Sequence, residues 1–166
     1  MILKIFVYLS CFFFSTFVFA QNSIPQVLKQ WNKGSVPYIK VTEIKSKTNI
    51  VFLDAREPKE FNVSHIENSI AVGFNQFDGK KVTTIIKDKN ALIVVYCSIG
   101  VRSEIIGDKL LKLGYKNVFN LYGGIVEWKN YDKKIVDNKK TETNEVHTYN
   151  KEWSIYLKKG IKVYEK

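Results

Sequence analysis

The chain has 166 residues, and 45% of them are hydrophobic, which suffices for one domain with a packed core but not for two domains of ordinary size. Its net charge of +10 comes from lysines dispersed along the sequence, with only two arginines. Dispersed lysine is typical of a solvated surface, and without an arginine-rich basic stripe we expect no nucleic-acid partner.

The first 20 residues form a separate segment. Lys4 precedes an unbroken apolar or small stretch from Ile5 to Ala20, and the polar residue Gln21 follows at once. This order is typical of a secretory signal, so we expect residues 1–20 to be cleaved and the protein to be periplasmic or extracellular, with no stable membrane insertion afterwards. The alternative is an uncleaved membrane anchor, although the apolar run is near the lower length limit for spanning a bilayer.

Cleavage would leave Cys97 as the one thiol of the mature chain, because Cys11 belongs to the removed segment. No internal disulfide is then possible. A lone cysteine in an oxidising compartment is either a small buried side chain or a reactive thiol, and its neighbours must distinguish the two.

Beyond a short N-terminal extension at 21–35, apolar runs alternate with helical patterns. Five runs are too short for helices: the three clearest are Ile50–Leu53, Ala91–Tyr96 and Val118–Leu121, and the weaker two are Tyr38–Val41 and Ile70–Val72. The clear runs lack period-two alternation, as expected for parallel strands buried on both faces. The clearest helix runs from Ser103 to Leu113, where Gly114 supplies a stop, and Pro58 suits the first turn of another. The alternation predicts an α/β fold with a parallel sheet.

Four polar residues follow the strand at Ile50–Leu53, namely Asp54, Arg56, Glu60 and His65. An ion pair of Arg56 with Asp54 or Glu60 would fix the loop after the strand, and we favour this structural role over direct catalysis. His65 is a candidate general base, since its unperturbed pKa is near neutrality, but a role in tying loops together is the favoured interpretation.

The segment from Cys97 to Ser103 follows the most hydrophobic strand and leads directly into a helix, where open α/β sheets bind ligands. Gly100 allows successive amide groups to turn toward one point, and with Arg102 and the helix N-terminus they would stabilise an anion at the sulfur. We therefore expect Cys97 to be a nucleophile, with six substrate-binding residues after it: Ser98, Ile99, Gly100, Val101, Arg102 and Ser103. For Ser103, helix capping is the favoured role.

Two separated motifs resemble the rhodanese-like family of single-domain sulfurtransferases. The upstream motif is FLDAREPKEFNVSHIENSI, and the downstream one is YCSIGVRSEIIGDKLLKLGYKNVFNLYGGIVEW. Ser64 and Asn68 depart from the family pattern, since they stand where glycines are common.

The resemblance implies a rhodanese-like domain at 36–130, a three-layer α/β fold whose mainly parallel sheet has roughly five strands and carries helices on both faces. It also implies a reaction in which Cys97 takes a sulfane sulfur from a small donor such as thiosulfate and passes it to a thiophilic acceptor, for which a protein thiol is one candidate. No metal or other cofactor is expected.

Two alternative functions remain open. Phosphatases and arsenate reductases of the same fold also use a cysteine-to-arginine loop, but their loop has five intervening residues, whereas four lie between Cys97 and Arg102. A rhodanese-fold binding or sulfur-carrier module without turnover is the other alternative, and such modules typically lose the cysteine that this chain keeps.

The C-terminal extension, 131–166, begins with a polar, lysine-rich stretch. We expect a short docked helix in which Asn150 is the cap, Trp153, Tyr156 and Leu157 share a face, and Gly160 is the stop. An isolated helix of this length is unstable in water, so it needs a surface to pack on. His147 is expected to be exposed to solvent, with a place near the active rim as the alternative.

Overall fold

The computed structural model describes residues 23–44 and 48–165. The segment interpreted as a secretory signal lies outside the described residues, so its cleavage stays a prediction. No helix within the described part of the chain is long and apolar enough to cross a membrane.

Nine short strands and six α-helices follow one another within residues 23–44 and 48–165. The strands are β1 Tyr38–Ile39, β2 Ile50–Asp54, β3 His65–Ile66, β4 Ile70–Ala71, β5 Leu92–Tyr96, β6 Asn117–Leu121, β7 Ile135–Val136, β8 Glu145–His147 and β9 Ile161–Val163. The helices are α1 Ile24–Trp31, α2 Val41–Ile44, α3 Pro58–Val63, α4 Gly79–Ile85, α5 Val101–Lys112 and α6 Gly124–Asn130, with a 3-10 helix at Trp153–Tyr156.

Five of the strands form a parallel sheet in the order β1-β6-β5-β2-β4, as the sequence pattern predicts. The central strand β5 is buried on both faces. Ile93 and Val95 pack in one core cluster with α4 and α5, whereas Val94 and Tyr96 pack in another with α1 and α6. Helices therefore cover both faces of the sheet. Because β2 and β5 pair in parallel, their carboxyl ends lie at the same edge.

The helix after the cysteine begins at Val101, two residues before the predicted start. Gly100, with φ of 112°, is its N-cap, and Gly114, with φ of 90°, follows its end. Arg102 and Ser103 consequently lie in the first turn of α5, and Ser103 does not occupy the capping position.

The C-terminal extension folds back on the domain. β7 pairs antiparallel with β3, and β8 pairs in parallel with β9. Between β8 and β9 the chain forms the 3-10 helix in place of the expected α-helical turn, with the amide of Trp153 donating to Asn150 Oδ1 at 2.9 Å. Leu157 is buried in the same core cluster as α6, so the extension is held by apolar packing as well as by strand pairing. Gly160, expected as the helix stop, instead leads into β9.

The N-terminal extension is attached to α5 through a carboxylate. The backbone amides of Lys33, Gly34 and Ser35 donate to Glu104 at 2.8, 2.6 and 3.0 Å. Because α1 precedes this turn directly, the anchored turn places α1 over the start of α5.

Candidate active site

The cysteine loop connects the buried end of β5 to the first turn of α5. The backbone amide of Gly100 donates to Cys97 Sγ at 3.2 Å. Ser103 Oγ lies 3.5 Å from the same sulfur and 2.7 Å from Asn120 Oδ1. A positive φ at Gly100 accompanies this inward turn of its amide, whereas the sequence pattern predicts that several successive amides turn toward one point. The Ser103 hydroxyl donates its one proton to Asn120, so the Gly100 amide is the group that directs a polar hydrogen at the sulfur, where it can stabilise a negative charge.

Gly123 and Gly124 begin helix α6 next to the cysteine loop. Both have positive φ, and a Cβ at Gly124 would lie 2.3 Å from the carbonyl oxygen of Cys97. That carbonyl accepts a hydrogen bond from the amide of Ile125 at 2.9 Å. Gly124 therefore permits a backbone contact with the cysteine loop that any larger residue would block, whereas a Cβ at Gly123 would meet Glu127 of α6.

Cys97 has no exposed surface, and the same is true of Ser98 and Ile99. The N-terminal extension contributes to the cover, because Asn32 Nδ2 donates to the carbonyl of Gly100 at 2.9 Å. The sequence places the cysteine at the edge of the sheet, and the structure agrees with this position. Because the sulfur has no exposed surface, a substrate reaches it only after part of the surrounding structure moves.

Arg102 forms a bidentate ion pair with Glu60. Nη1 and Nη2 each donate to the Glu60 carboxylate at 2.7 Å, and Nη2 also donates to Ser98 Oγ at 3.1 Å. Burial opposes ionisation of Glu60, but the hydrogen bonds and charge of Arg102 outweigh it and hold the pKa of Glu60 below its ordinary value. Burial likewise opposes the charge of Arg102, whose pKa is nevertheless raised, mainly by Glu60 and next by Cys97. The ion pair joins α3 to the cysteine loop.

Asp54 and Arg56 form a second, fully buried ion pair, with 2.6 Å between Nη2 and Oδ2. Arg56 also donates to the carbonyl of Ser64 at 2.6 Å. Of the two partners considered for Arg56, Asp54 is the one that forms its ion pair, whereas Glu60 pairs with Arg102. Such a forked arrangement suits arginine and not lysine.

His65 lies in β3, where its Nδ1 is 3.1 Å from the carbonyl of Phe61 and its ring stacks on Phe61 at a centroid distance of 3.8 Å. Strand β3 pairs with β7 of the C-terminal extension. These contacts place His65 among loop-tying interactions, the role favoured from the sequence. Nearby Asn68, with φ of 62°, occupies a left-handed position, which explains why glycine is common there.

The expectation that His147 is solvent-exposed is wrong. The residue is 5% exposed, and its Nδ1 lies 3.9 Å from Glu60 Oε1. Nδ1 also accepts the backbone amide of Tyr149 at 3.2 Å, so the neutral ring carries its proton on Nε2. Burial lowers the pKa of His147 from 6.5 by more than the Glu60 carboxylate raises it.

Tyr149 continues this contribution of the C-terminal extension to the site. The Arg102 guanidinium carbon lies 5.1 Å from the centroid of the Tyr149 ring. Arg102 is therefore held by a carboxylate from α3 and covered by an aromatic ring from the extension, a cation–π arrangement. Within the described residues, no three His, Cys, Asp or Glu side chains are grouped to hold a metal ion.

A family model described as rhodanese-like domain matches residues 40–131. A tRNA uridine(34) hydroxylase of Yersinia enterocolitica is 35% identical over 91 residues, which are 53% of this chain and 26% of that protein. The hydroxylase of Hamiltonella defensa is 34% identical over 97 residues, 57% of this chain and 27% of that protein. The chain therefore spans about a quarter of the length of these curated relatives.

Two solved structures share the fold. A thiosulfate sulfurtransferase from Pseudomonas aeruginosa has a TM-score of 0.56 and 22% identity, over 64% of this chain and 21% of that one. A rhodanese-related protein from Thermoplasma volcanium has a TM-score of 0.53 and 26% identity, over 60% of this chain and 97% of that one. Together with the five-stranded sheet, these likenesses confirm the predicted fold class.

Proposed function

Because the chain belongs to the rhodanese-like family, we propose that it is a sulfurtransferase in which Cys97 carries a sulfane sulfur as a persulfide. The observation that carries the proposal is the hydrogen bond from the Gly100 amide to Cys97 Sγ, at the N-terminus of α5. A glycine-turned amide directed at a cysteine sulfur stabilises the charged forms that this chemistry requires.

The reaction has two displacement steps. In the first, the Cys97 thiolate attacks the sulfane sulfur of a donor such as thiosulfate; the donor S–S bond breaks, and sulfite leaves with the electron pair. In the second, a nucleophilic acceptor attacks the outer sulfur of the persulfide, and the Cys97–sulfur bond breaks to regenerate the thiolate. Both the thiolate and the persulfide are anions, so the Gly100 amide that contacts Sγ favours each of them.

Arg102 acts in this proposal as a positioning residue. Its two terminal nitrogens are engaged by Glu60 and Ser98, so the guanidinium holds the loop in place more than it binds an oxyanionic donor. Ser98, Ile99 and Val101 carry small or apolar side chains that specify no particular donor.

The relatives named tRNA uridine(34) hydroxylase are matched over about a quarter of their own length. Our proposal for this chain accordingly rests on the cysteine loop and not on the activity in their name. A binding module without turnover is the alternative, and retention of Cys97 with a directed amide hydrogen bond favours turnover.

The test is intact mass of the full chain after incubation with thiosulfate, 3-mercaptopyruvate or polysulfide, followed by addition of cyanide. We expect a gain of one sulfur atom at Cys97 and its loss as thiocyanate. The nearly isosteric Cys97→Ser should retain the fold, checked by thermal melting, and gain no sulfur. Transfer by the folded serine variant contradicts the assignment, as does hydrolysis of an aryl phosphate by a protein that accepts sulfur from none of the donors.

A further inference from the structure

A cleft of about 1070 Å³ lies against the first turn of α5, directly after the cysteine loop. We call it the rim cleft; Val101 and Arg102 form its inner side, Glu60 lies beside them, and Trp31, Tyr149 and Trp153 form its outer walls. The cleft therefore adjoins the Glu60–Arg102 ion pair.

The outer walls come from the two extensions. Trp31 is the last residue of α1, and Tyr149 and Trp153 belong to the connection between β8 and β9. All three lie outside residues 40–131, which the family model matches. The rim cleft thus lies between the family domain and the segments that this chain adds to it, which supply eight of its fifteen lining residues.

Its size does not match a small sulfur donor. Thiosulfate has five heavy atoms and fills on the order of 100 Å³, judged from about 30 Å³ for a water molecule in the liquid. Pockets for larger organic ligands span about 300–1,000 Å³. The rim cleft, at about 1070 Å³, has room for several residues of a polypeptide.

The charge of the lining disfavours anions. Four glutamates line the rim cleft with two lysines and one arginine, which gives a net charge of −1 in a chain whose overall charge is +10. Arg102 is neutralised by Glu60, and Lys59 contacts Glu165. A small anion or a phosphate backbone finds little free positive charge there, whereas an uncharged or basic segment is complementary.

Exposed aromatic side chains supply apolar contact area. Trp31 is 63% exposed and Tyr149 is 48% exposed. Aromatic residues of this kind dominate the binding energy of protein interfaces, because they bury large surfaces at a low cost in side-chain entropy.

We propose that the rim cleft binds an apolar, uncharged or basic polypeptide segment, and that a cysteine of this segment is the sulfur acceptor. The transfer step rests on the proposed function; the binding step does not. The acceptor thiol loses its proton to solvent and attacks the outer persulfide sulfur, so that the acceptor leaves as the persulfide and Cys97 as the thiolate. Because Cys97 is buried, an acceptor reaches its sulfur only when the loop opens. A segment already bound against Val101 and Arg102 is next to the loop at that moment, which favours transfer to its cysteine.

Binding is tested apart from chemistry, with the Cys97→Ser full chain and fluorescent nine-residue peptides. The first peptide has a central serine flanked by leucine, phenylalanine and two lysines, and in the second the lysines are glutamates. We expect the basic peptide to bind more tightly, and Trp31→Ala to weaken it about tenfold, as for loss of an interface aromatic. Tyr131→Ala is the matched control, since Tyr131 is 49% exposed but does not line the cleft.

A charge reversal tests the complementarity. Glu152→Lys should shift the preference toward the acidic peptide, whereas Glu142→Lys, at an exposed position outside the lining, should not. Tighter binding of the acidic peptide by the parent chain, or binding indifferent to Trp31→Ala, would overturn the proposal. An oligonucleotide that competes for the cleft would overturn it as well.

Transfer is tested with the persulfide-loaded chain and the basic peptide, in which cysteine now replaces the central serine. The rate of sulfur transfer to this peptide is divided by the rate of transfer to cyanide. We expect Trp31→Ala to lower the ratio of these rates, and Tyr131→Ala to leave it unchanged. An unaltered ratio in Trp31→Ala refutes the acceptor assignment. Failure to load any persulfide refutes the proposed function instead, and the peptide-binding measurements still decide the rest.

Discussion

Glu60 accepts hydrogen bonds from both terminal nitrogens of Arg102 at 2.7 Å each, although the two residues are 42 positions apart in sequence. The carboxylate is fully buried, and the Arg102 side chain is 16% exposed. One carboxylate thereby connects α3, which follows the end of β2, to the first turn of α5. The position of the cysteine loop depends on this connection.

Neutralising Glu60 should therefore destabilise the protein strongly. In Glu60→Gln the shape of the side chain remains, but a mostly buried guanidinium loses its counter-charge, and we expect a loss of about 3–5 kcal/mol in the free energy of unfolding. Urea denaturation measures this. The matched control is Glu67→Gln, whose partner Lys134 lies 3.6 Å away at a half-exposed surface, with an expected change below about 1 kcal/mol. Equal losses in the two variants would show that the buried pair contributes little.

Acidification should weaken the fold in two stages. The pKa of His147 is lowered in the folded chain, so below about pH 6.5 the unfolded chain binds a proton that the native chain excludes. The free energy of unfolding therefore decreases as the pH is lowered from about 6.5 to the folded pKa. The lowered pKa of Glu60 acts in the same direction below about 4.5, because protonation there removes its interaction with Arg102.

Only the first stage should disappear in His147→Asn. The asparagine Oδ1 can accept the Tyr149 amide as Nδ1 of His147 does, so the local turn is kept while the titrating group is lost. The other charged groups that affect the pKa of His147 remain in place in this variant, namely Glu60, Arg56, Glu165 and Lys59. Unfolding free energies from pH 8 to pH 5 give the result, and the same slope in parent and variant would contradict the assignment.

A methyl group at Gly124 should displace the cysteine loop. Gly124→Ala strains a residue at φ of 55° and places Cβ 2.3 Å from the carbonyl of Cys97. Gly73→Ala is the control, because Gly73 has φ of 68° but no atom within 4 Å of an added Cβ. Strain alone costs about 1–2 kcal/mol. We expect Gly124→Ala to lose more than this and to load sulfur more slowly in the mass assay, whereas identical behaviour of the two variants would show that the close contact is unimportant.

The sheet and the cysteine loop were predictable because both depend on local patterns. Uninterrupted apolar runs such as Ile93–Tyr96 indicate strands buried on both faces, and Gly100 indicates a turn next to the thiol. The pairing of charges was not predictable in the same way. Arg56 stands near both Asp54 and Glu60 in sequence, and only the helical phase of α3 directs Glu60 toward Arg102.

His147 was missed for a different physical reason. Period-two alternation in β8 places His147 on the same side as exposed Glu145, yet both Val146 and His147 are buried. Strand β8 packs on α3, and its parallel pairing with β9 encloses the imidazole beside Glu60. A polar, lysine-rich composition carries no signal for such packing, since the contact is made with a helix far away in sequence.

The enclosure of Cys97 separates reactivity from access. A thiol with no exposed surface meets a reagent only in molecules whose cover has opened, so its modification rate reaches a plateau as reagent concentration rises. Reagents of different intrinsic reactivity would then share one ceiling, which is the opening rate of the loop. The closed state also keeps oxidants from the sulfur between turnovers, so that irreversible oxidation to sulfinic or sulfonic acid depends on how long the loop stays open.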